Sequence, residues 1–221
     1  MARIQLTPNL RSAFTDRRVE EYLYGLLPAS HPVLSEMERY AAKHDIPIVG
    51  PAVARLLALL VQVSGAMRIF ELGSAIGYST IWLARAARPG AHVYYTDGDP
   101  SKAERARRYF ERAGVAGRIT IQVGDALTML ARTPGKFDLI FNDVDKHGYP
   151  AVFRAAVPRL QRGGLLLADN VLWSGRAARA AKASDANTRG IQQFNRLVYS
   201  SRALDPVMVP LRDGVLVARK R

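Results

Sequence analysis

Apolar residues recur with two different periods along this chain, and the change falls near Gly65. Between Asp16 and Gly65 they lie three and four positions apart, the spacing of amphipathic helices, and no strand-like alternation interrupts them. The third helix of this region is predicted over 52–63, and Pro51 opens it at a position that needs no backbone donor. The pattern therefore predicts an N-terminal helical region.

After Gly65, short apolar runs of strand length alternate with helical segments. Five strands are predicted over 68–72, 92–96, 118–123, 137–142 and 164–168. Helices are predicted between them, among them 100–113 and 149–160. Strands that alternate with helices join through right-handed crossovers into a parallel sheet that is covered on both faces.

The final segment breaks this alternation. A helix over 188–201 precedes two strands over 205–210 and 214–220, which must pair antiparallel because so few residues connect them. The predicted fold class is α/β, a doubly wound (Rossmann-like), mainly parallel seven-stranded sheet with an antiparallel C-terminal hairpin and an N-terminal helical cap. We expect a single domain over 1–221, with the cap at 1–65 and the α/β core at 66–221.

Composition narrows the class of protein. Of 221 residues, 48% are apolar and 23% are charged, which is typical of a folded chain. No uncharged apolar run reaches the roughly 18 residues of a membrane span, and residues 1–11 lack the apolar core and cleavage site of a secretion signal. The absence of cysteine excludes disulfides, zinc–thiolate sites and thiol catalysis, and we expect a cytoplasmic protein.

Charge adds a hypothesis about partners. The chain has 32 Lys and Arg against 19 Asp and Glu, a net charge of +13 that favours polyanions such as RNA. Arg105, Arg108 and Arg112 share a helix face, and residues 171–221 hold ten basic against three acidic side chains. Only six of the basic residues are lysines, so a biased base composition or an arginine-rich solvated exterior explains the same numbers.

Candidate chemistry is concentrated just after the predicted strands, where ligands bind in open α/β sheets. After the first strand, Gly73 and Gly77 allow a backbone turn to approach a ligand closely, and Ser79 can bond at the start of the next helix. Their G-x-x-x-G spacing lacks the third glycine of a dinucleotide fingerprint, which weighs against NAD. A tight turn without a ligand would need the same glycines.

Acidic residues after the second and third strands suit an adenosine. Asp97 is placed to accept hydrogen bonds from ribose hydroxyls, whereas Asp99 is expected to cap the helix that Pro100 opens. Asp125, with Ala126, fits either an adenine edge or an N-cap. No phosphate-binding loop of the G-x-x-x-x-G-K-[ST] type is present.

The fourth and fifth predicted strands end in oxygen ligands. Asp143 and Asp145 follow the fourth strand, and Asp169 and Asn170 follow the fifth. Two Asp and one Asn suit Mg²⁺, with Mn²⁺ or Ca²⁺ as alternatives, and the other interpretation is a solvated acidic rim. Lys146, beside these acids, is either a general base or the ion-pair partner of Asp143 or Asp145.

Three ordered segments carry a resemblance to a known family. They are FELGSAIGYS at 70–79, FNDVDK at 141–146 and DNVLWSG at 169–175. They resemble the cation-dependent class I S-adenosylmethionine O-methyltransferases, the catechol and caffeoyl-CoA O-methyltransferase group with its bacterial relatives. The similarity runs from about Leu34 to Arg219.

The resemblance implies a site for S-adenosylmethionine, a divalent cation and a hydroxylated acceptor. It implies Asp143, Asp169 and Asn170 as metal ligands, Lys146 as general base and Trp173 beside the acceptor. The cofactor-binding residues that it implies are Val49, Gly50, Glu71, Gly73, Ser79, Asp97, Asp125, Ala126 and Asp143. Relatives in this group are often dimers, and we expect a homodimer.

Two positions depart from the family pattern. The family often has Gly-Gln where this chain has Ala54 and Arg55, and an isoleucine or valine where Asn142 stands. The first departure affects the contacts of the third helix. The second adds a polar side chain whose role the resemblance does not explain.

The acceptor is the least specified part of the implied reaction. The resemblance points to a small phenolic with vicinal hydroxyls, such as a catechol, with Trp173 and the helical cap covering a flat ring. The alternative is a tRNA with a hydroxylated wobble uridine, which the basic exterior would suit. A non-catalytic nucleotide-binding module is a third hypothesis, and the presence of Asp143, Lys146, Asp169 and Asn170 argues against it.

Overall fold

Seven strands form a mixed sheet in the computed structural model, which describes residues 15–221. The strands are β1 (Arg68–Leu72), β2 (His92–Asp97), β3 (Ile119–Val123), β4 (Phe137–Asn142), β5 (Leu160–Ala168), β6 (Leu204–Val209) and β7 (Val215–Lys220). Their order is β3-β2-β1-β4-β5-β7-β6. Strands β1 to β5 pair in parallel, and β7 pairs antiparallel with both β5 and β6. The predicted fold class is confirmed.

Eight α-helices within the described residues surround this sheet. They are α1 (Arg17–Leu26), α2 (Pro32–Lys43), α3 (Gly50–Ser64), α4 (Tyr78–Ala86), α5 (Pro100–Arg112), α6 (Ala126–Arg132), α7 (Tyr149–Arg159) and α8 (Ala186–Ser200). The first three precede the sheet, as the apolar spacing predicts. None of the helices within residues 15–221 is long and apolar enough to cross a membrane. Residues 1–11, in which the sequence predicts no secretion signal, lie outside the described residues.

Strand β5 begins four residues earlier than predicted. Its first residue, Leu160, pairs with Phe137, and the register of β4 and β5 then shifts before Leu139 pairs with Leu165. At Gly164 a Cβ would lie 3.0 Å from the carbonyl oxygen of Asp138, so the irregular stretch tolerates little but glycine there. The glycine that marked the predicted start of the strand lies at this irregularity inside it.

Apolar side chains cover both faces of the sheet. Along β4, Leu139 and Phe141 belong to the cluster formed with α3, α4 and α5, whereas Ile140 belongs to the cluster formed with α6, α7 and α8. Successive residues of a strand point to opposite faces, so one buried strand contributes to both clusters. This two-sided burial explains why the parallel strands have continuous apolar runs.

In helix α1 the apolar residues at helical spacing are not the residues that become buried. The apolar residues that predict it include Tyr22 and Leu26, and both are exposed, whereas Glu20 and Tyr24 are buried. The period therefore identifies the helix but not the face that packs against the rest of the described chain.

The strand order creates a crevice at the carboxyl ends of β1 and β4. These two strands are neighbours, and the chain leaves β1 toward β2 but leaves β4 toward β5. Loops at such a switch point diverge, which leaves room for a ligand between them. The loops that carry the three family-like segments all follow strands at or beside this crevice.

We predict that Gly190→Ala destabilises the protein. Helix α8 lies so close to the 3₁₀ turn Lys146–Gly148 that a Cβ at Gly190 would be 2.7 Å from the Cα of His147 and closer still to the carbonyl oxygen of Lys146. Overpacking of this kind costs about 1–3 kcal/mol, measurable as a lower midpoint of urea unfolding. Gly25→Ala in α1 is the control, because a Cβ there has no neighbour within 4 Å. Equal midpoints for the two variants would contradict the prediction.

Candidate functional site

The crevice is an open cavity of about 710 Å³. The predicted site residues that line it are Gly73, Asp97, Asp125, Ala126, Asp143, Lys146, Asp169, Asn170 and Trp173. The other four are buried and are not among its lining residues; they are Val49, Gly50, Glu71 and Ser79. The structure therefore brings most of the candidate residues, from loops far apart in sequence, to one cavity.

The two glycines after β1 serve packing within the chain. A Cβ at Gly73, whose φ is +81°, would lie 2.6 Å from the carbonyl oxygen of Asp143. One at Gly77, whose φ is +83°, would lie 2.5 Å from the ring of Phe110 in α5. Each glycine is explained by a left-handed turn and a close contact with another segment. The turn after β1 is consequently held against the end of β4, which places Gly73 on the cavity wall.

Glu71 is the acidic residue buried most deeply behind this turn. It is fully buried, and the Thr80 hydroxyl donates a hydrogen bond to its Oε2. Burial raises the pKa of Glu71 to about 7, although the hydroxyls of Ser79, Thr80 and Ser74 act in the opposite direction. Glu71 therefore gains or loses its charge near neutral pH.

The acids after β2 and β3 have well-defined local roles. Asp99 caps α5 by accepting from the backbone N–H of Ser101, which confirms its predicted role. Asp97 accepts at 2.9 Å from the backbone N–H groups of both Ala75 and Asp99, which holds its carboxylate rigidly on the cavity wall. Asp125 caps α6 and also lines the cavity. The ribose and adenine roles of Asp97 and Asp125 stay predictions.

Lys146 pairs with Asp143, one of the two partners that the sequence left open. Its Nζ donates to the Asp143 Oδ1 at 2.7 Å and to the carbonyl oxygen of Val144 at 3.2 Å. Burial by itself lowers the pKa of Lys146, but the negative charge of Asp143 and this hydrogen bond outweigh burial, so the pKa lies above its ordinary value. In this arrangement Lys146 is a protonated ion-pair partner.

Asp169 is buried with an unused oxygen. Its Oδ2 accepts from Nη1 of Arg212 at 3.3 Å, while its Oδ1 is buried and has no hydrogen-bond partner in the described chain. Burial raises the pKa of Asp169 to about 6, although Arg212 acts in the opposite direction. Beside it, Asn170 donates from Nδ2 to Asp213 at 3.4 Å, which leaves its amide oxygen as the acceptor.

These oxygens fit a hard cation by their chemistry. The Oδ1 of Asp169 is buried without a partner, and a positive ligand would satisfy it; Asp143 and the Asn170 amide supply further oxygen donors in the lining of the same cavity. Among residues 15–221 no group of three or more His, Cys, Asp or Glu side chains is arranged to hold a metal. The amide of Asn170 is therefore a necessary member of the candidate set.

Sequence reasoning missed the contributions of Arg212 and Asp213 to the site. Both line the cavity from the turn between β6 and β7. The Asp213 carboxylate accepts from the Asn170 amide and from the backbone N–H of Ser174. The available signal was a charged pair in a hairpin turn, but its place in the site depends on β7 lying beside β5, which a linear pattern does not reveal.

The remaining predicted features have mixed outcomes. Trp173 lines the cavity, and the Arg176 guanidinium lies 4.2 Å from its ring centroid. Arg55 donates to the carbonyl oxygen of Pro28 at 2.5 Å, so this family departure ties α3 to the segment before α2. Asn142 is fully buried, and neither of its amide atoms has a hydrogen-bond partner in the described part of the chain. Nothing in the structure explains Asn142.

The three arginines of α5 that suggested an RNA surface each contact a neighbour. Arg112 forms an ion pair with Glu36, Arg108 forms one with Glu104, and Arg105 lies over the ring of Tyr40. Positive charge on this helix is therefore partly compensated locally.

The sheet order and the crevice define the methyltransferase variant of the Rossmann-like fold. The family model described as O-methyltransferase matches residues 27–221, and the chain belongs to this O-methyltransferase family.

Individual relatives agree with this assignment. The chain is 31% identical over 211 residues to catechol O-methyltransferase from Niastella koreensis, with 90% of this chain and 95% of that protein covered. It is 34% identical over 194 residues to catechol O-methyltransferase from Mycobacterium tuberculosis, with coverages of 86% and 87%. The crystal structure of the O-methyltransferase from Bacillus cereus in complex with SAH superposes with a TM-score of 0.84 at 30% identity, covering 92% of this chain and 97% of that one.

We predict that Glu71→Gln stabilises the cofactor-free protein increasingly as pH rises from 5 to 8. Because burial raises the pKa of Glu71, its protonated form is favoured in the folded state. Protonated Glu71 contributes to the free energy of unfolding. This contribution is fully present below the ordinary pKa of about 4.5 and is lost as pH rises through about 7. The difference in melting temperature between variant and wild type should therefore grow with pH. Glu104→Gln on the exposed face of α5 is the control, and a gap that shrinks with pH would contradict the prediction.

Proposed function

We propose that the protein transfers a methyl group from S-adenosylmethionine to one hydroxyl of a catechol-like or other vicinal-diol small molecule, with a divalent cation bound beside the acceptor. The observation that carries this proposal is that Asp143, Lys146, Asp169, Asn170 and Trp173 all line the same cavity. The names of the curated relatives, both catechol O-methyltransferases, support the acceptor class. The SAH in the Bacillus cereus structure supports the cofactor.

We assign the cofactor to the side of the cavity formed by the ends of β1, β2 and β3. Asp97 would accept from the ribose hydroxyls, Asp125 and Ala126 would contact the adenine, and Gly73 would approach the methionine portion. Glu71, Ser79, Val49 and Gly50 would support that portion from the buried layer. The cavity lining on this side holds the carboxylates of Asp97 and Asp125 and one amine, that of Lys102, and this negative balance suits a cofactor that carries a sulfonium charge.

We assign the cation to Asp143, Asp169 and Asn170, with Mg²⁺ as the first choice. When bound there, a divalent cation would lower the pKa of an acceptor hydroxyl. The chain supplies oxygen donors of the type that Mg²⁺, Mn²⁺ and Ca²⁺ prefer, and Asp213 orients the Asn170 amide so that its oxygen is available.

Lys146 would accept the proton of the acceptor hydroxyl at its Nζ. It can do so only when neutral, a state that the 2.7 Å pair with Asp143 opposes until the Asp143 charge is compensated. The acceptor oxygen would then be free to attack the methyl group in line. The cavity contributes chiefly by holding donor and acceptor in that alignment, an effect that can supply roughly 7–11 kcal/mol.

The function is tested by methyl transfer from labelled S-adenosylmethionine to a panel of catechols and to bulk tRNA, at two salt concentrations, with and without EDTA. We expect labelled catechol, loss of transfer in EDTA and recovery with Mg²⁺. Full activity in EDTA would remove the metal from the proposal. Salt-sensitive labelling of tRNA alone would replace the small acceptor by RNA, the alternative favoured by the net charge of +13.

We predict that Lys146→Ala retains cofactor affinity but loses turnover by about 10²–10⁴-fold, the usual contribution of a positioned acid or base. The measurements are cofactor Kd by calorimetry and kcat with the best acceptor. Lys182→Ala, at an exposed lysine absent from the cavity lining, is the control. An unchanged kcat in Lys146→Ala would exclude Lys146 as the base.

A further inference from the structure

Arg212 has an unusual backbone and a side chain that points into the site. Its φ is +53°, in the left-handed region that side chains other than glycine seldom occupy. Its side chain is only 11% exposed, although it belongs to a hairpin turn. A strained conformation at an element boundary persists where surrounding contacts hold it, and such positions cluster at functional sites.

The contacts of Arg212 hold two parts of the candidate site. Its Nη1 donates to the Oδ2 of Asp169 at 3.3 Å and to the carbonyl oxygen of Val49 at 3.1 Å. Asp169 is 1% exposed, so this is a buried ion pair. The carbonyl of Val49 belongs to the start of α3, which the turn between β6 and β7 thereby contacts.

Each of the two candidate metal carboxylates is thus paired with a basic side chain. Lys146 forms an ion pair with Asp143, three residues before it in the same loop, and is also the proposed base for proton transfer. Arg212 forms an ion pair with Asp169, 43 residues earlier in the sequence, and has no proposed part in proton transfer. A buried carboxylate without a positive partner is costly, so a protein that folds before it binds metal needs one.

We propose that Arg212 is the resident counter-ion of Asp169 and competes with the divalent cation for this carboxylate. The inference rests on the proposed metal site. Arg212 stabilises the metal-free protein, and the cation must compete with the Arg212 guanidinium for Asp169 in order to bind. Arg212 is accordingly a residue that determines metal affinity, and it affects the reaction only through its ion pair with Asp169.

The test is Mn²⁺ binding, followed by the electron paramagnetic resonance signal of the free ion, together with melting temperature in EDTA. For Arg212→Gln we expect a Kd for Mn²⁺ lower by about 10-fold or more, since one competing positive charge near the site is removed. We also expect a melting temperature several degrees lower in EDTA, which Mn²⁺ restores. A merely structural role would lower the melting temperature and weaken Mn²⁺ binding together.

Three further variants complete the design. Arg212→Gly removes the guanidinium at a φ that suits glycine, and so provides the answer if the glutamine variant fails to fold. Arg221→Gln removes a second arginine paired with an aspartate, Asp205, on the exposed side of the same hairpin and should leave Mn²⁺ affinity unchanged. Asp169→Asn should abolish or greatly weaken Mn²⁺ binding.

The outcomes separate the two proposals. Equal or weaker Mn²⁺ binding by both Arg212 variants overturns the counter-ion role, and if Asp169→Asn still abolishes binding, the metal site itself stands. Wild-type protein that binds no Mn²⁺ and transfers methyl groups in EDTA overturns both.

Discussion

Carboxylates that are buried or half-buried where parallel strands end need a positive partner, and much of the site is organised around that requirement. Asp143 follows β4 and Asp169 follows β5, the next strand in the sheet. Water cannot solvate Asp169, which is 1% exposed, so its charge must be balanced by the protein or by a ligand. Lys146 and Arg212 supply that balance in the metal-free chain, and the segments that carry them must therefore dock in fixed positions.

Close packing between backbone segments then fixes the positions of the loops that carry these side chains. The turn after β1 can lie against the end of β4 because Gly73 has no side chain. Helix α8 can likewise approach the turn that carries Lys146 because Gly190 has none. Both contacts are between backbones, which leaves little room for adjustment. The position of the Lys146 amine thus depends on a helix that begins forty residues later in the chain.

Sequence reasoning succeeded where a local pattern determines structure. The bounds of β1 and β4 match residue for residue, and the segments that follow β1 to β5 all contribute residues to the lining of one cavity. It failed where the outcome depends on the partner of a segment. The apolar period predicts α1 but not its exposed face, and the start of β5 depends on pairing with Phe137. Arg212 enters the site only because β7 inserts between β5 and β6. The roles of the individual cofactor and metal residues are still predictions, because each depends on a ligand.

Asp213 links parts of the candidate site that lie far apart in sequence. Its carboxylate holds the Asn170 amide and the backbone just after Trp173, and it is joined covalently to Arg212. One short turn therefore contacts Asn170, a candidate metal ligand, and Ser174, which follows Trp173. The same turn carries Arg212, the proposed counter-ion of Asp169. A change in the length of that turn would alter acceptor preference and cation retention in the same step. Substitutions at lining residues outside this hairpin, such as Pro47 and Ile48 between α2 and α3, would instead change the shape of the cavity without altering the turn.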